Sequence, residues 1–270
     1  MFERIRKLFV NKTPGVNNDT YAVLLETDIG LLAIDPKDDC VSSQLRQNGA
    51  YEKKERDLLT SYLNADSKVL VVGTHIGSLA IPLSMKCQEL IAIEANPKTF
   101  ELLTINLLLN NIENVRSLNI AASNKEEEID FLLSTHNSGG SKRVPLIKDD
   151  MYYYDNPEQV KVKAYPLDDF LDDHEFDLVI MDIEGSEFFA LGGMQRILKG
   201  TKVLAIEFLP HHLRNVSGVS VNEFLSLIEI HFTKLTIPSK NISVDHSEFH
   251  HVLQEMYEND EVDSGIIFEN

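Results

Sequence analysis

The stretch Lys68-Val-Leu-Val-Val-Gly-Thr-His-Ile-Gly77 decides the fold of this chain. Val69–Val72 is a continuous apolar run, mostly β-branched, which is typical of a strand buried on both faces. Gly73 and Gly77 then bracket a tight turn in which the backbone can approach a ligand closely. The spacing is GxxxG rather than GxGxxG, so by itself it fits a structural turn as well as a nucleotide site.

Strands and helices alternate after this stretch. The predicted strands are Leu90–Glu94, Val115–Ala122, Phe176–Asp182 and Val203–Phe208, with Phe232–Ile237 and Gly265–Phe268 as the last candidates. The predicted helices are Glu52–Leu63, Gly77–Met85, Pro97–Asn110, Ser186–Leu198 and Val221–His231. Repeated β-then-α units predict an α/β fold, with a parallel sheet that carries helices on both faces.

The N-terminal part departs from this alternation. Its first ten residues are basic and place four apolar side chains on one helical face, those of Phe2, Ile5, Leu8 and Phe9. Residues 11–20 are rich in turn-forming residues and predict a linker. Tyr21–Glu26 and Gly30–Ile34 predict a β-hairpin. We expect residues 1–66 to pack on a main domain formed by residues 67–270, as one structural unit.

Two later segments also break the pattern. Residues 123–165 contain an acidic run, the pair Gly139-Gly140 and three consecutive tyrosines at 152–154. We interpret them as an insertion before the fourth strand of the main sheet, with some β-structure that covers a site. The acidic stretch Glu255–Asp263 predicts a solvated loop.

The composition excludes several classes of protein. The 270 residues are 43% hydrophobic and 25% charged, the usual proportions of a globular chain. A net charge of −18 argues against a protein that coats nucleic acid. No run approaches the ~18 apolar residues of a membrane span. Two cysteines, Cys40 and Cys87, are too few for a disulfide framework and favour a reducing compartment, the cytoplasm.

Acidic residues follow three of the predicted strands, at the edge of the sheet where ligands bind. Glu94 lies about 20 positions after the glycine turn, the spacing at which a carboxylate accepts from the hydroxyls of a ribose. Asp182 and Glu184 are two apart, so in extended geometry they share one side. Each can bind a metal or accept a proton. Helix capping by Ser186, with Glu187 in the first turn, is the simpler interpretation of Glu187, but it does not explain Asp182, which precedes the cap by four residues. Glu207 ends the next strand and precedes His211-His212, a pair that is more often found at a surface than on a metal.

An ordered set of motifs from Tyr21 to Glu207 resembles the FkbM-type methyltransferase family. It includes Gly30-Leu-Leu-Ala-Ile-Asp-Pro36, Gly49-Ala-Tyr-Glu52, Gly73-Thr-His-Ile-Gly77, Glu94-Ala-Asn-Pro97, Asn106 and Asn110, Ala121-Ala-Ser123, Asn137-Ser-Gly-Gly140, Pro166-Leu-Asp-Asp169, Asp182-Ile-Glu-Gly-Ser-Glu187 and Ile206-Glu207. Each motif alone is weak evidence for the family, and Asp-Ile-Glu-Gly-x-Glu is the most specific of them. The resemblance implies a Rossmann-like class I methyltransferase sheet and transfer of a methyl group from S-adenosylmethionine to a hydroxyl of a sugar or secondary metabolite.

The resemblance also implies roles for individual residues. The cofactor-binding candidates are Glu52, Gly73, Thr74, His75, Gly77, Glu94, Ala95, Ala121, Ala122 and Asp182. Asp182 and Glu184 are the first candidates for catalysis, and His75 and His136 are alternative bases. Asn137, Gly139 and Glu187 are candidates for contact with the small-molecule acceptor. A divalent cation such as Mg²⁺ on Asp182 is a second way to activate a hydroxyl.

One departure from the family pattern leaves alternatives open. The family has an acid two positions before the first glycine, and here that position is Val71. In many methyltransferases of this type the acid holds the methionine ammonium of the cofactor, so Glu52 or a backbone carbonyl would have to replace it. A non-catalytic relative that keeps the fold is therefore one alternative. A nicotinamide-dependent oxidoreductase is another, although GxxxG and the lack of a second catalytic domain argue against it.

Overall fold

The computed structural model describes residues 20–270. The predicted basic N-terminal helix, with Phe2, Ile5, Leu8 and Phe9, and the linker up to residue 19 lie outside the described residues. The strands are β1 (Val23–Thr27), β2 (Gly30–Ile34), β3 (Lys68–Val72), β4 (Glu89–Ile93), β5 (Val115–Leu118), β6 (Ala121–Ala122), β7 (Glu127–Leu133), β8 (Lys142–Arg143), β9 (Glu158–Tyr165), β10 (Phe176–Met181), β11 (Thr201–Phe208), β12 (Lys234–Ile237), β13 (Ile242–Asp245) and β14 (Asp263–Glu269).

The helices alternate with the strands of the main sheet, as the sequence predicts. They are α1 (Val41–Asn48), α2 (Lys53–Thr60), α3 (Ala80–Ser84), α4 (Pro97–Leu109), α5 (Leu167–Phe170), α6 (Glu187–Gly192), α7 (Gln195–Lys199), α8 (Pro210–His212), α9 (Val221–Ser226) and α10 (Phe249–Glu258). In α4, Pro97 occupies the first turn, and the side chain of Asn96 accepts from the backbone N–H of Lys98. None of the helices described in residues 20–270 is long and apolar enough to cross a bilayer.

The main sheet has eight strands in the order β13-β12-β14-β11-β10-β3-β4-β5. The five strands from β11 to β5 are parallel, as predicted. The three C-terminal strands β14, β12 and β13 pair antiparallel with their neighbours, so the sheet is mixed and the prediction of a wholly parallel sheet was wrong at this edge. The strand order changes direction between β3 and β10, which places a ligand cleft at their carboxyl ends.

Helices cover both faces of the sheet. One face packs against α5, α6, α7, α9 and α10, and the other against the β1–β2 hairpin and helices α1 to α4. Alternate residues of β3 point to opposite faces: Leu70 and Val72 belong to the first core, Val69 and Val71 to the second. This arrangement confirms the predicted α/β fold, with a hairpin and helices preceding the main sheet.

The insertion forms a sheet of its own, in the order β6-β9-β7-β8. Its core is a small apolar cluster that includes Ala121, Ile129 and Phe131. The predicted strand Val115–Ala122 was therefore wrong as a single element. Strand β5 ends at Leu118. The side-chain amide of Asn119 then donates to the carbonyl oxygen of Glu94, and Ala121–Ala122 pair with β9 of the insertion sheet.

Three predicted helices have different bounds in the structure. The predicted helix Ser186–Leu198 is split into α6 and α7 at Gly192-Gly193. The backbone there lies against the carbonyl of Ser123, and a Cβ at Gly193 would be 2.0 Å from that oxygen. The predicted helix Gly77–Met85 begins only at Ala80, after a turn. Val221–His231 is helical only to Ser226 and continues as turns.

The predicted C-terminal loop was wrong over Glu255–Glu258. These residues are the end of α10, whose buried residues Phe249, Leu253 and Met256 recur at helical spacing. The acidic residues lie on the outer face of that helix, so their charge does not indicate a loop. Helix α1 and strand β13 were not predicted at all.

Candidate active site

A cleft of about 1310 Å³, measured out to its mouth, lies at the carboxyl ends of β3, β4 and β10. The loops after these strands form its floor, α1 and the residues around α2 form one side, and the insertion sheet forms the other.

The turn after β3 brings backbone to the floor of the cleft. Gly73 has φ +92°, and a Cβ there would lie 1.7 Å from the carbonyl oxygen of Asp182, so β3 and β10 can approach only with glycine. Thr74 lines the cleft and donates its hydroxyl to the carbonyl of Ile93 (3.1 Å). Gly77 also has φ +92° but packs against Leu103 and is not among the residues that line the cleft.

The Glu94 carboxylate is fixed at the end of β4 by two backbone groups. Its oxygens accept from the N–H of His75 (2.7 Å) and of Asn96 (2.8 Å). Burial raises the pKa of Glu94, and these two N–H groups act against that rise. The side chain lines the cleft, so each oxygen keeps a lone pair with which it can accept from a ligand hydroxyl.

An apolar wall continues from Glu94 toward the insertion. Ala95, Ala121 and Ala122 line the cleft together with Ile120 and Phe131. Such an apolar wall suits the faces of an aromatic base.

The opposite end of the cleft is acidic. Asp182, Glu52 and Glu55 all line it. Asp182 is open to the cleft but surrounded by protein on its other sides; this burial, followed by the charge of Glu184, holds its pKa well above the ordinary value. Burial and the neighbouring Glu52 raise the pKa of Glu55 to about 7. Such an end favours a ligand that carries positive charge.

Asp182 and Glu184 do not share one side, so that prediction was wrong. Glu184 has φ 56° and Gly185 φ +97°, a left-handed pair that turns the chain sharply after β10. Asp182 faces the cleft, whereas Glu184 does not line it and forms an ion pair with Lys142 of β8 (2.9 Å).

A second polar cluster lies on the same edge of the sheet. Glu184, Glu207 and His212 bring one ligand atom each to within 4.8 Å of one another, the only such group of three metal-binding side chains within residues 20–270. Asp182, the residue predicted to hold a cation, is not part of it. His212 is 3% exposed, so the expectation that the His211-His212 pair lies at the surface was wrong for this histidine.

Only one of the three residues predicted to contact the acceptor lines the cleft. Gly139 lines the cleft, whereas Asn137 and Glu187 do not. Glu187 is 4% exposed and accepts from the backbone N–H of Ile183 (2.9 Å), so it holds the turn after β10. Ser186 occupies the N-cap position of α6 without a capping hydrogen bond from its side chain.

The two alternative bases lie in different surroundings. His75 lines the cleft, and its Nε2 lies 2.7 Å from the hydroxyl of Ser138, which in turn donates to Asp38. Burial lowers the pKa of His75 to about 4, so the ring is neutral at pH 7. His136 is exposed, pairs with Asp39 and does not line the cleft.

Several residues that line the cleft were not predicted as site residues from the sequence, among them Glu55, Tyr51, Ser138 and Arg143. Glu55 had a usable signal, since it follows Glu52 at the spacing that shares a helix face. Tyr51 and Ser138 lie within the motifs Gly49-Ala-Tyr-Glu52 and Asn137-Ser-Gly-Gly140, beside predicted site residues. Arg143 had no such signal, because the insertion sheet approaches the cleft only in the folded chain. None of the three consecutive tyrosines, 152–154, lines the cleft.

Comparisons with known proteins identify the family of this chain. The Methyltransferase FkbM domain family matches residues 72–262. A search of curated proteins found no match. Solved structures with similar folds include Trm5b from Pyrococcus abyssi (12% identity, 94% of this chain, 57% of that chain, TM-score 0.48) and a TehB-like SAM-dependent methyltransferase from Corynebacterium glutamicum (12%, 85% and 94%, 0.46). A third is the tRNA m1G37 methyltransferase of M. jannaschii (13%, 94% and 58%, 0.46).

The chain thus spans somewhat over half the length of Trm5b and of the tRNA m1G37 methyltransferase. The TM-scores of all three structures are below 0.5, so the family assignment does not use them. The family match covers most of the chain and includes the glycine turn after β3, Glu94 and the turn after β10. It rules out the oxidoreductase alternative. The chain belongs to the FkbM methyltransferase domain family.

Proposed function

We propose that this methyltransferase transfers the methyl group of S-adenosylmethionine to a hydroxyl of a sugar or secondary metabolite. The observation that carries the proposal is the cleft itself. It joins a fixed carboxylate, Glu94, at one end to an unpaired carboxylate, Asp182, at the other.

The cleft fits the cofactor in shape and charge. Gly73 leaves room for backbone contact with the methionine part, Glu94 accepts from the ribose hydroxyls, and Ala121 and Ala122 lie along the adenine. Glu52 and Asp182 offer acceptors to the ammonium group. When bound, the cofactor supplies a methyl group on a positively charged sulfur, which is a strong leaving group.

Asp182 takes the proton of the acceptor hydroxyl. A carboxylate that faces the cleft at the end of β10 can accept this proton as the hydroxyl oxygen is methylated, a contribution of about 10²–10⁴-fold. The remaining task of the protein is to align the hydroxyl with the methyl carbon. The insertion sheet serves that alignment, because Gly139, Ser138 and Arg143 close the cleft on that side.

A small neutral acceptor fits this chain better than a nucleic acid. The net charge of −18 opposes binding to phosphate backbones. The acidic end formed by Glu52, Glu55 and Asp182 repels an anionic acceptor further. We place the enzyme in the cytoplasm, in keeping with its two free cysteines, Cys40 and Cys87.

The test is Asp182→Asn, which keeps the shape of the side chain and removes its charge. We expect turnover on an acceptor found by screening sugar and polyketide hydroxyls to fall at least a hundredfold, with cofactor affinity unchanged within a few-fold. Asp172→Asn, at the exposed loop before the same strand, is the matched control and retains activity. Full turnover in Asp182→Asn would move the assignment to His75.

Mg²⁺ on Asp182 is the alternative way to activate the hydroxyl, and it predicts a different result. Wild-type turnover would vanish with a chelator and return with Mg²⁺. Turnover that resists the chelator supports direct proton transfer to Asp182.

A further inference from the structure

The cluster beside the cleft contains a buried ammonium group that cofactor binding does not explain. Lys142 comes from β8 of the insertion sheet, and its side chain is 10% exposed. Its Nζ donates to Glu184 Oε2 (2.9 Å), lies 3.3 Å from His212 Nε2 and stands 5.3 Å from the centre of the Tyr152 ring. A carboxylate, an imidazole and an aromatic face thus surround one cation.

The hydrogen bonds fix the state of His212. An ammonium group can only donate, so Nε2 of His212 accepts and Nδ1 carries the ring proton. Nδ1 is the one buried side-chain polar atom without a partner among residues 20–270, and it faces Glu207 Oε2 at 3.8 Å. Burial and the positive charge of Lys142 lower the pKa of His212 to about 2, which keeps the ring neutral.

Two carboxylates and a neutral imidazole are a ligand set that divalent metals bind. Here Lys142 already brings positive charge between Glu184 and His212, and a divalent ion would have to displace it against electrostatic repulsion. A buried ion pair of this kind contributes little to stability. Glu184 and Glu207 lie at the carboxyl ends of β10 and β11, and Glu184 is two residues from Asp182. This position indicates that the ion pair has a role in the site.

We propose that Lys142 is the resident cation of the cluster formed by Glu184, Glu207 and His212, in the place that a divalent metal would otherwise take. Lys142 thereby fixes Glu184 and the turn that carries Asp182, and the cluster needs no metal. The inference does not depend on the proposed acceptor, because it concerns only which cation the cluster holds.

The experiment removes the Lys142 ammonium group and offers Mn²⁺ in its place. Wild type, Lys142→Met and the double variant Lys142→Met/Glu207→Gln are titrated with Mn²⁺ alone in a calorimeter. Met has a similar length and no charge, so it frees the two carboxylates and the imidazole. We expect one Mn²⁺ per chain on Lys142→Met, at least tenfold tighter than any binding to wild type, and loss of that binding in the double variant. Lys161→Met, an exposed lysine of the same sheet, is the control and gains no Mn²⁺ site.

Two results would overturn the proposal. One is a single Mn²⁺ bound by wild type and lost in Glu207→Gln, because the cluster would then be a metal site despite Lys142. The other is a folded Lys142→Met that binds no Mn²⁺. If Lys142→Met does not fold in buffer, Mn²⁺ restores its cooperative melting transition by binding the native state, and failure of this rescue also contradicts the proposal. Neither cofactor nor acceptor is used, so these outcomes are separate from the failure of the proposed function.

Discussion

Single carboxylates at this edge of the sheet have different tasks because their partners differ. Glu94 accepts from two backbone N–H groups and has no cation beside it, whereas Glu184 is paired with Lys142. Asp182 has neither kind of partner in the cleft and keeps a raised pKa. The unpaired carboxylate is therefore the one available for proton transfer.

Glu94→Ala tests the ribose contact. We expect it to weaken binding of the demethylated cofactor product by ~1–3 kcal/mol, because ligand hydroxyls and the N–H of His75 lose their acceptor. Calorimetry measures the affinity. Glu89→Ala, at the exposed opposite end of β4, is the control and binds normally. Equal affinities in the two variants would remove Glu94 from the cofactor site.

Val71→Asp tests where the cofactor ammonium is held. Val71 is 1% exposed, packs in the apolar core below the hairpin and does not line the cleft. We expect the new carboxylate to lower the free energy of unfolding by several kcal/mol, because it is buried without a partner, and to leave cofactor affinity unchanged. Urea unfolding and calorimetry measure the two effects, and Val71→Asn separates charge from polarity. Tighter binding in Val71→Asp would instead place the ammonium at this strand.

At the scale of elements, the approach of β3 to β10 is what forms the floor of the cleft. It depends on Gly73, whose missing Cβ makes room for the carbonyl of Asp182. The left-handed pair Glu184-Gly185 then turns the chain away from the cleft, and a Cβ at Gly185 would lie 2.6 Å from Val216. Two strand ends and two turns therefore decide which side chains meet the ligand.

Gly73→Ala and Gly49→Ala form a matched pair that separates the cost of backbone strain from the cost of a steric clash of the new Cβ. Both glycines have positive φ, +92° and +66°, but a Cβ at Gly49 meets nothing within 4 Å. We expect Gly49→Ala to cost about 1–2 kcal/mol of stability, the cost of a left-handed alanine. Gly73→Ala adds a collision with backbone, so it should cost more and abolish cofactor binding. Thermal unfolding and calorimetry measure both, and equal costs would show that the approach of β3 to β10 relaxes freely.

At the scale of the whole molecule, the active edge of the sheet gathers several acids whose pKa values are raised. Burial raises the pKa values of Asp182 and Glu207, and those of Glu55 and Glu187 to about 7. A cationic ligand relieves the repulsion among these groups, so the free protein is the less stable state at the pH where they ionise.

This predicts that the raised carboxyl pKa values lower the stability of the folded chain as pH rises. The folded chain binds protons at Glu55 and Glu187 that the unfolded chain has already released, so these groups lower the free energy of unfolding as pH rises through about 7. The lowered pKa values of His75 and His212 act in the opposite direction up to about pH 7.5, because the unfolded histidines still bind protons there. Glu187→Gln leaves these histidines in place and removes one raised carboxyl, so we expect the change in its melting temperature from pH 6.5 to 8.5 to be more positive than that of the wild type. Parallel profiles for the two proteins would contradict the raised pKa of Glu187.

Local patterns in the sequence predict the α/β fold, the central parallel strands, the hairpin, the insertion, the burial of Val71 and the positions of Glu94 and Asp182. They do so because buried strands are continuous apolar runs, tight turns need glycine, and the residue after a parallel strand reaches the ligand edge. The folded chain was needed to show that Val71 does not line the cleft, that Glu184 turns away from Asp182 and that Glu187 holds the turn after β10. It also brought together Lys142 and His212, 70 residues apart. Such contacts depend on the left-handed turn after β10 and on how the insertion sheet packs, and neither is encoded in a local pattern.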